Sequence, residues 1–332
     1  MNYAPIVVSV YDRPNHFKAC VESLAKNKGA EKTLLFISSD GPRDAISAEK
    51  VGAVRDYIKT IKGFKEVFAF CPEENTSGKI KTSVYERIKS DFPRYIRTED
   101  DNVFSAHALK YFNQGLDLFE DDPRIHAICG YMYPGFPSTD YEQVYLQCLA
   151  GWGTALWRDK DIYPGFVEKE AAKEVLSNKQ LFKKVNNCLP HMAPMVKLIV
   201  DGKLKAGDVS RCNYIIKNDQ ICVFPSISLV RNIGNDGTGE HCGVNEIYGK
   251  QKIADREIQF DMFKPREPVL DDARWIADFF GGKKEIFRNK LLFAEFNAAN
   301  RFSKSLIKAF LFMIRIFSFP AKLYRLVIRS FA

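Results

Sequence analysis

The chain of 332 residues lacks several patterns that would place it at once. Its eight cysteines, at positions 20, 71, 129, 148, 188, 212, 222 and 242, are scattered and never form a Cys-x-x-Cys pair, which argues against a structural zinc site. Sparse, unpaired cysteine fits a reducing compartment and excludes a disulfide scaffold. There is no Gly-x-x-x-x-Gly-Lys-[Ser/Thr] run, so a P-loop is ruled out, and no Gly-x-Gly-x-x-Gly follows a first strand, which disfavours a dinucleotide fold. The Gly-x-Ser-x-Gly nucleophile elbow is missing too. The opening Met1–Pro5 passes straight into a strand-like run, without a basic stretch or a cleavage site, so no secretory signal is expected.

Acid is missing from one end of the chain. No Asp or Glu follows Glu295, whereas Arg301, Lys304, Lys308, Arg315, Lys322, Arg325 and Arg329 account for nearly all of the formal net charge of +8. A nucleic-acid-binding protein spreads its basic residues over a folded face, and these sit in a terminal tail, so no nucleic-acid partner is expected. On a helix, Arg301, Lys304, Lys308 and Arg315 fall within an arc of about 60°, opposite most of the large apolar side chains; Pro320 interrupts, and Lys322, Arg325 and Arg329 form a second arc of about 60°. Uncharged runs there, such as Ala309–Ile314, are far below the ~20 residues that cross a bilayer. The pattern predicts two amphipathic helices lying on an anionic membrane surface, the alternative being a helical hairpin packed on the rest of the protein.

What is present is a large apolar fraction, 46%, enough for a sizeable core, and a βα rhythm. Apolar runs at Pro5–Val10, Thr33–Ile37, Glu66–Phe70, Arg94–Arg97 and Ile125–Cys129 read as strands. Between them, apolar positions recur at helical spacing: Phe17, Cys20, Val21, Leu24; Val51, Val54, Ile58, Ile61; Ile80, Val84, Ile88, Phe92; Ala108, Leu109, Phe112, Leu116, Phe119. Such alternation predicts an α/β fold with a mostly parallel central sheet. After Gly130 the rhythm loosens into aromatic loops, helices near 168–186 and 191–201, a strand at Ile221–Phe224, and a glycine-rich stretch from Asn232 to Gly239.

In such sheets ligands bind at the carboxyl ends of the strands. The first strand ends in Tyr11-Asp12-Arg13-Pro14 and the second in Ser38-Ser39-Asp40-Gly41. The third leads to Asn75-Thr76-Ser77-Gly78-Lys79, and the fourth delivers Glu99-Asp100-Asp101. Three adjacent carboxyl groups repel one another unless a cation sits among them, and Mn²⁺ or Mg²⁺ shared with phosphate oxygens meets that need. Arg13 and Lys79 suit a phosphate, and Asp40 suits a base or ribose. His16, His107 and His126 stand alone and read as surface or structural residues. His241 follows the glycine-rich loop and is placed to close over a metal or diphosphate.

These motifs resemble the GT-A nucleotide-sugar-dependent glycosyltransferases, in particular bacterial sugar transferases of surface-polysaccharide clusters, themselves similar to animal Golgi N-acetylglucosaminyltransferases. The resemblance runs from Pro5 to about Cys242 and is carried by "PIVVSVYDRP", "LFISSDGP", "YIRTEDDNVFS", "ICGYMYP", "GWGTALW" and "SLVRNIGNDGTGEHC". It implies a Rossmann-like GT-A fold over 1–270, with a nucleotide-sugar half (1–130) and an acceptor half (131–270), followed by the amphipathic tail (271–332). It further implies that Tyr11 and Arg13 lie by the donor and that Asp40 reads the nucleobase, uracil in the relatives. Asp101 would be the direct metal ligand, Glu99 and Asp100 would orient ribose and sugar, and Gly151-Trp152-Gly153 would lie beneath the acceptor. Asp208 occupies the interval of the catalytic base, with Asp236 and Asp219 as fallbacks.

Chemistry asks for this set. The leaving diphosphate needs its charge neutralised, and the attacking hydroxyl needs a carboxylate to take its proton. One base opposite the leaving group gives inversion. The expectation is a metal-dependent inverting transferase, drawing on a nucleotide-sugar donor and a lipid-linked or polysaccharide acceptor at the cytoplasmic face of a bacterial membrane. Two rivals are weaker. A sugar-nucleotide nucleotidyltransferase would carry glycine after the first strand, and a non-catalytic glycan- or membrane-binding protein would not need three carboxylates and a base.

Overall fold

The computed structural model describes residues 3–137, 141–162, 168–239, 244–260, 270–298, 303, 305–309 and 312. In chain order its elements are β1 (Ile6–Val10), α1 (Pro14–Ala25), β2 (Leu34–Ser39), α2 (Ala45–Ile58), β3 (Glu66–Phe70), α3 (Lys79–Asp91), β4 (Arg94–Glu99), β5 (Asn102–Phe104), α4 (Ala108–Leu118), β6 (Ile125–Cys129), β7 (Gln143–Leu146) and β8 (Thr154–Trp157). Then come α5 (Glu168–Ser177), α6 (Lys179–Cys188), α7 (Met192–Val200), α8 (Gly207–Lys217), β9 (Ile221–Pro225), β10 (Val230–Asn232), α9 (Glu246–Gly249), α10 (Leu270–Phe279) and α11 (Gly282–Asn297). They form two compact units, Met1–Phe166 with Gln220–Val269 and Val167–Asp219 with Leu270–Ala332. The segment 167–219, read from sequence as part of the acceptor half, thus groups with the chain beyond 270.

The first unit is a Rossmann-like α/β domain. Its eight-stranded sheet has the order β3-β2-β1-β4-β8-β6-β9-β7. The first four strands are mutually parallel, β8 runs antiparallel between β4 and β6, β9 is parallel to β6, and β7 closes the edge antiparallel. Strands covered on both faces need apolar residues at every position, and β1 (IVVSV) and β6 (IHAIC) are buried along almost their whole length. Pro14 opens α1, where its fixed φ and missing N–H suit the first turn. The helix then buries Phe17, Cys20, Val21 and Leu24, the face read from the sequence. Ile61 falls beyond α2, which stops at Ile58.

A two-stranded antiparallel ribbon, β5 with β10, pairs Asn102 with Asn232 and so draws the segment after residue 232 back to the turn after β4. In the second unit the helix expected over 168–186 is two helices, because the Asn178 side chain accepts from the N–H groups of Gln180 and Leu181 at 3.0 and 3.1 Å and starts α6 afresh. Helix α5 packs on α6, α7 and α8. Leu291 of α11 and Ile307 are buried together, with Phe287, Ala294 and Ala298 against them. No helix among the described residues is long and apolar enough to cross a membrane. The tail helices expected from the sequence lie largely outside the described residues, as does His241.

Candidate functional site

The carboxyl ends of β1, β2 and β4 open on one cleft of about 520 Å³, a size that suits a small-molecule ligand. Its lining includes Tyr11, Arg13, Asp40, Glu99, Asp100 and Asp101 of the residues singled out above, and it adds Arg43, Lys81, Gly234 and Thr238. All of these belong to the first unit.

The acidic triplet sits where β4 ends and turns into β5. Asp100 and Asp101 are buried, at 4% and 7% exposure. Arg13, just before α1, grips Asp100 with two nitrogens: Nη2 donates to Oδ1, and Nε donates to Oδ2 at 3.2 Å. The same Nη2 lies 3.0 Å from Asp101 Oδ2. Asn232 Nδ2 donates to Asp101 Oδ1 at 2.9 Å, and Ile233 N–H donates to the Asp101 carbonyl at 2.9 Å. Burial pushes both carboxyls above their ordinary range, against the pull of Arg13, and neighbouring Glu99 pushes the same way. The cluster is short of positive charge.

Glycine 234 closes over it. A Cβ there would stand 2.0 Å from Asp101 Oδ2 and 2.9 Å from Arg13 Nη1, so the glycine lets the backbone of the loop reach the carboxylate. Asn232 arranges the approach: its Oδ1 accepts from Gly234 N–H and from Asn235 Nδ2, each at 2.9 Å. Farther along the loop, Asp236 accepts from the N–H and Oγ1 of Thr238 at 3.0 and 2.7 Å and lies 3.1 Å from His16 Nε2. Those hydrogen bonds hold its carboxyl below the usual range. His16, which read as a surface or structural residue, ties the glycine-rich loop to the start of α1.

Asp40 is more heavily engaged than a free base-reading carboxylate. Its Oδ1 accepts from Gly41 N–H and from both N–H and Oγ1 of Thr76, and its Oδ2 accepts from Gly78 N–H, all at 2.8–2.9 Å. These bonds outweigh its partial burial and hold its pKa below the ordinary value. They also fix the loop before α3, where Ser77 and Gly78 both adopt positive φ. Nearby, the Arg43 guanidinium lies over the Tyr11 ring, 5.1 Å from its centre, and Arg43 N–H donates to the Tyr11 hydroxyl at 3.0 Å.

Lys79, assigned to phosphate from the sequence, opens α3 and is not in the lining; the lysine that lines the cleft is Lys81, 3.7 Å from Glu99. Trp152 stands in an aromatic stack, edge to face with Tyr131 at 4.6 Å and with Tyr248 at 5.2 Å. In that loop it is Gly153, at φ +72° and tight against Phe104 and Val230, that demands glycine; Gly151 has ordinary room. Asp208 and Asp219 belong to the second unit, in the first turn of α8 and just after it, where Asp219 is paired with Lys184 at 2.8 Å. Neither is in the cleft lining.

Among the described residues no three His, Cys, Asp or Glu side chains converge as a metal cage. One or two buried carboxylates in a cluster short of positive charge still fit Mn²⁺ or Mg²⁺, which take the rest of their ligands from phosphate and water. Asp101, with Asp100 beside it, is the group that would hold the ion.

No protein-family model and no curated protein matches the chain. Among solved structures, TarS 1–349 of S. aureus in complex with UDP-GlcNAc aligns over 96% of this chain and 74% of its own, at 10% identity and a TM-score of 0.40. The mannosyltransferase PcManGT of Pyrobaculum calidifontis, in complex with GDP-Man and Mn²⁺, aligns over 64% and 68%, at 10% identity and 0.38. Mouse xyloside xylosyltransferase 1 aligns over 67% and 83%, at 9% identity and 0.35. In another TarS structure the match covers 48% of this chain and spans 30% of that one. Likenesses this distant carry no function across to this chain.

Proposed function

We propose that the chain is a GT-A glycosyltransferase, metal-dependent and inverting, that moves a hexosyl or N-acetylhexosaminyl group from a nucleotide diphosphate sugar to a lipid-linked or surface-polysaccharide acceptor. The observation that carries the reading is the buried Asp100–Asp101 pair, short of positive charge, facing a nucleotide-sized cleft at the carboxyl ends of parallel strands. Burying two acids against the one guanidinium of Arg13 is costly unless a further cation offsets them.

Each residue then has a task. Asp101, with Asp100 beside it, holds Mn²⁺ or Mg²⁺, which supplies charge neutralisation for a leaving diphosphate. Arg13 orients both carboxylates, and its Nη1 is left to meet a phosphate. Asp40 Oδ2 accepts a single hydrogen bond and so keeps capacity for the imide N–H of a uracil, which favours UDP. Tyr11 and Lys81 line the donor pocket, Glu99 orients the donor's sugar, and Trp152 offers the aromatic face that sugars stack on. Asp236, on the glycine-rich loop whose Gly234 and Thr238 line the cleft, takes the proton from the attacking hydroxyl, and His241 belongs with the diphosphate. The basic tail keeps the enzyme on an anionic membrane surface at the cytoplasmic side.

The test is Mn²⁺-dependent UDP binding by calorimetry, together with donor turnover. Asp101→Ala is expected to fold and to lose both. Full metal-dependent turnover by that variant would overturn the assignment.

A further inference from the structure

Arg97 is a charged group with no task in the scheme above. It stands in β4 two residues before Glu99, and the pleat places both on one face of the sheet, near Tyr85 of α3. Its side chain is half-buried, and among the described residues it makes no hydrogen bond or ion pair. The neighbouring acids already have partners: Glu99 has Lys81, and the Asp161 carboxylate has the Tyr95 hydroxyl and Lys89 at 3.5 Å. In register, Arg97 is paired with Thr154 at the start of β8, and its Nη2 lies 3.7 Å from where a Cβ on Gly151 would stand. The guanidinium therefore lies against the Gly151–Trp152–Gly153 loop.

Its nitrogens stay open to solvent with no protein acceptor among the described residues, and the flat fork they form matches a carboxylate or a phosphate. The donor's diphosphate is not that anion. Asp100, in the turn beyond β4, meets Arg13 at the start of α1 instead, and the diphosphate belongs there with Asp100 and Asp101. We infer that Arg97 recognises an oxyanion, a uronate carboxylate or a sugar phosphate, on a sugar seated against Gly151 and Trp152, so that one of the two sugars joined is acidic. This rests on the transferase reading. Arg97 is then a specificity residue.

The experiment adds glucose, glucuronate or glucose 6-phosphate to the protein already holding UDP and Mn²⁺, and follows binding by saturation-transfer NMR. The wild-type chain is expected to prefer glucuronate or glucose 6-phosphate over glucose, and whichever is preferred identifies the oxyanion's source. Arg97→Met should lose that preference, by roughly tenfold to a hundredfold in affinity, with UDP affinity unchanged. Near-ultraviolet circular dichroism checks its packing. Should it not fold, Arg97→Lys, which retains charge but not the fork, must show a preference weaker than wild type. Equal binding of neutral and acidic sugars overturns the inference, as does a preference untouched in the variants or a fall in UDP affinity in a folded Arg97→Met. Failure of UDP to bind the wild-type chain is a separate result that removes the transferase reading and the inference with it.

Discussion

Substituting Gly234 by alanine adds one methyl group at the tightest point of the site. The new carbon would stand 2.0 Å from Asp101 Oδ2 and 2.7 Å from its Cγ, so something must move. The carboxylate cannot swing away freely, because Arg13 holds one oxygen at 3.0 Å, Asn232 holds the other at 2.9 Å, and the residue is buried. The loop cannot retreat without loss either, since Asn232 Oδ1 fixes Gly234 N–H and the Asp101 carbonyl takes the Ile233 N–H. Overpacking of this kind costs about 1–3 kcal/mol. A loss of about 2 kcal/mol corresponds to a fall in Tm of roughly 4–8 °C in a domain of this size. Thermal denaturation measures that effect, and UDP titration with and without Mn²⁺ measures the second: displaced from its place, Asp101 should lose metal-dependent UDP binding. Gly151→Ala is the control, because a Cβ there meets nothing nearer than 3.7 Å. If Gly234→Ala matches the control in Tm and in metal-dependent binding, then Gly234 does not hold the carboxylate and the site geometry is wrong.

Other consequences can be checked alongside it. Asp40→Asn should loosen the loop before α3. Because the carboxyl is held below its ordinary value in the folded state, the stability it adds is complete above about pH 4 and is lost as pH falls through the lower folded-state pKa, so the Tm gap to wild type should shrink in acid; a constant gap refutes this. Asp236→Asn should cut turnover on the order of 10²–10⁴-fold while leaving UDP affinity unchanged, and Asp208→Asn, in the second unit, should retain most activity; the reverse pattern in a turnover assay reassigns the base. Truncation after Phe312 removes Arg315, Lys322, Arg325 and Arg329 yet keeps Ile307 packed on Leu291, so binding to anionic vesicles should fall by roughly two to three orders of magnitude without loss of Tm, and unchanged sedimentation with vesicles would return the tail to a packing role.

The parallel half of the sheet was legible because its strands are long, apolar and separated by helices with a clear 3.6 period. Strand β3 matches its expected bounds, and α1 buries the four residues its pattern names. The inserted strand β8 was not legible. Thr154–Trp157 is four residues, all buried, directly after Gly151-Trp152-Gly153, and so short a run shows no period that separates it from a loop. The same holds for β5 and β10, of three residues each, whose pairing brings the glycine-rich stretch to the acidic turn. Lys79 and Lys81 were a matter of phase. Two helical residues are about 200° apart, so whichever faces the cleft excludes the other, and the sequence does not state where α3 begins to turn.

Partners distant in sequence set the remaining limits, and Arg13 shows why the site could be found but not arranged. Composition marks a cation opposite three acids, and a diphosphate is the obvious ligand for it. In the fold its Nε and Nη2 are committed to Asp100 and Asp101, contacts made across more than eighty residues that no local pattern encodes. A guanidinium has five N–H groups in a rigid fork, and the two on Nη1 have no partner among the described residues, on the side where Gly234 leaves space. One residue thus keeps two buried carboxylates in place and still presents donors to the cleft. A lysine, with a single point of charge, could not do both, and that difference in geometry is the physical content behind an arginine at the end of the first strand.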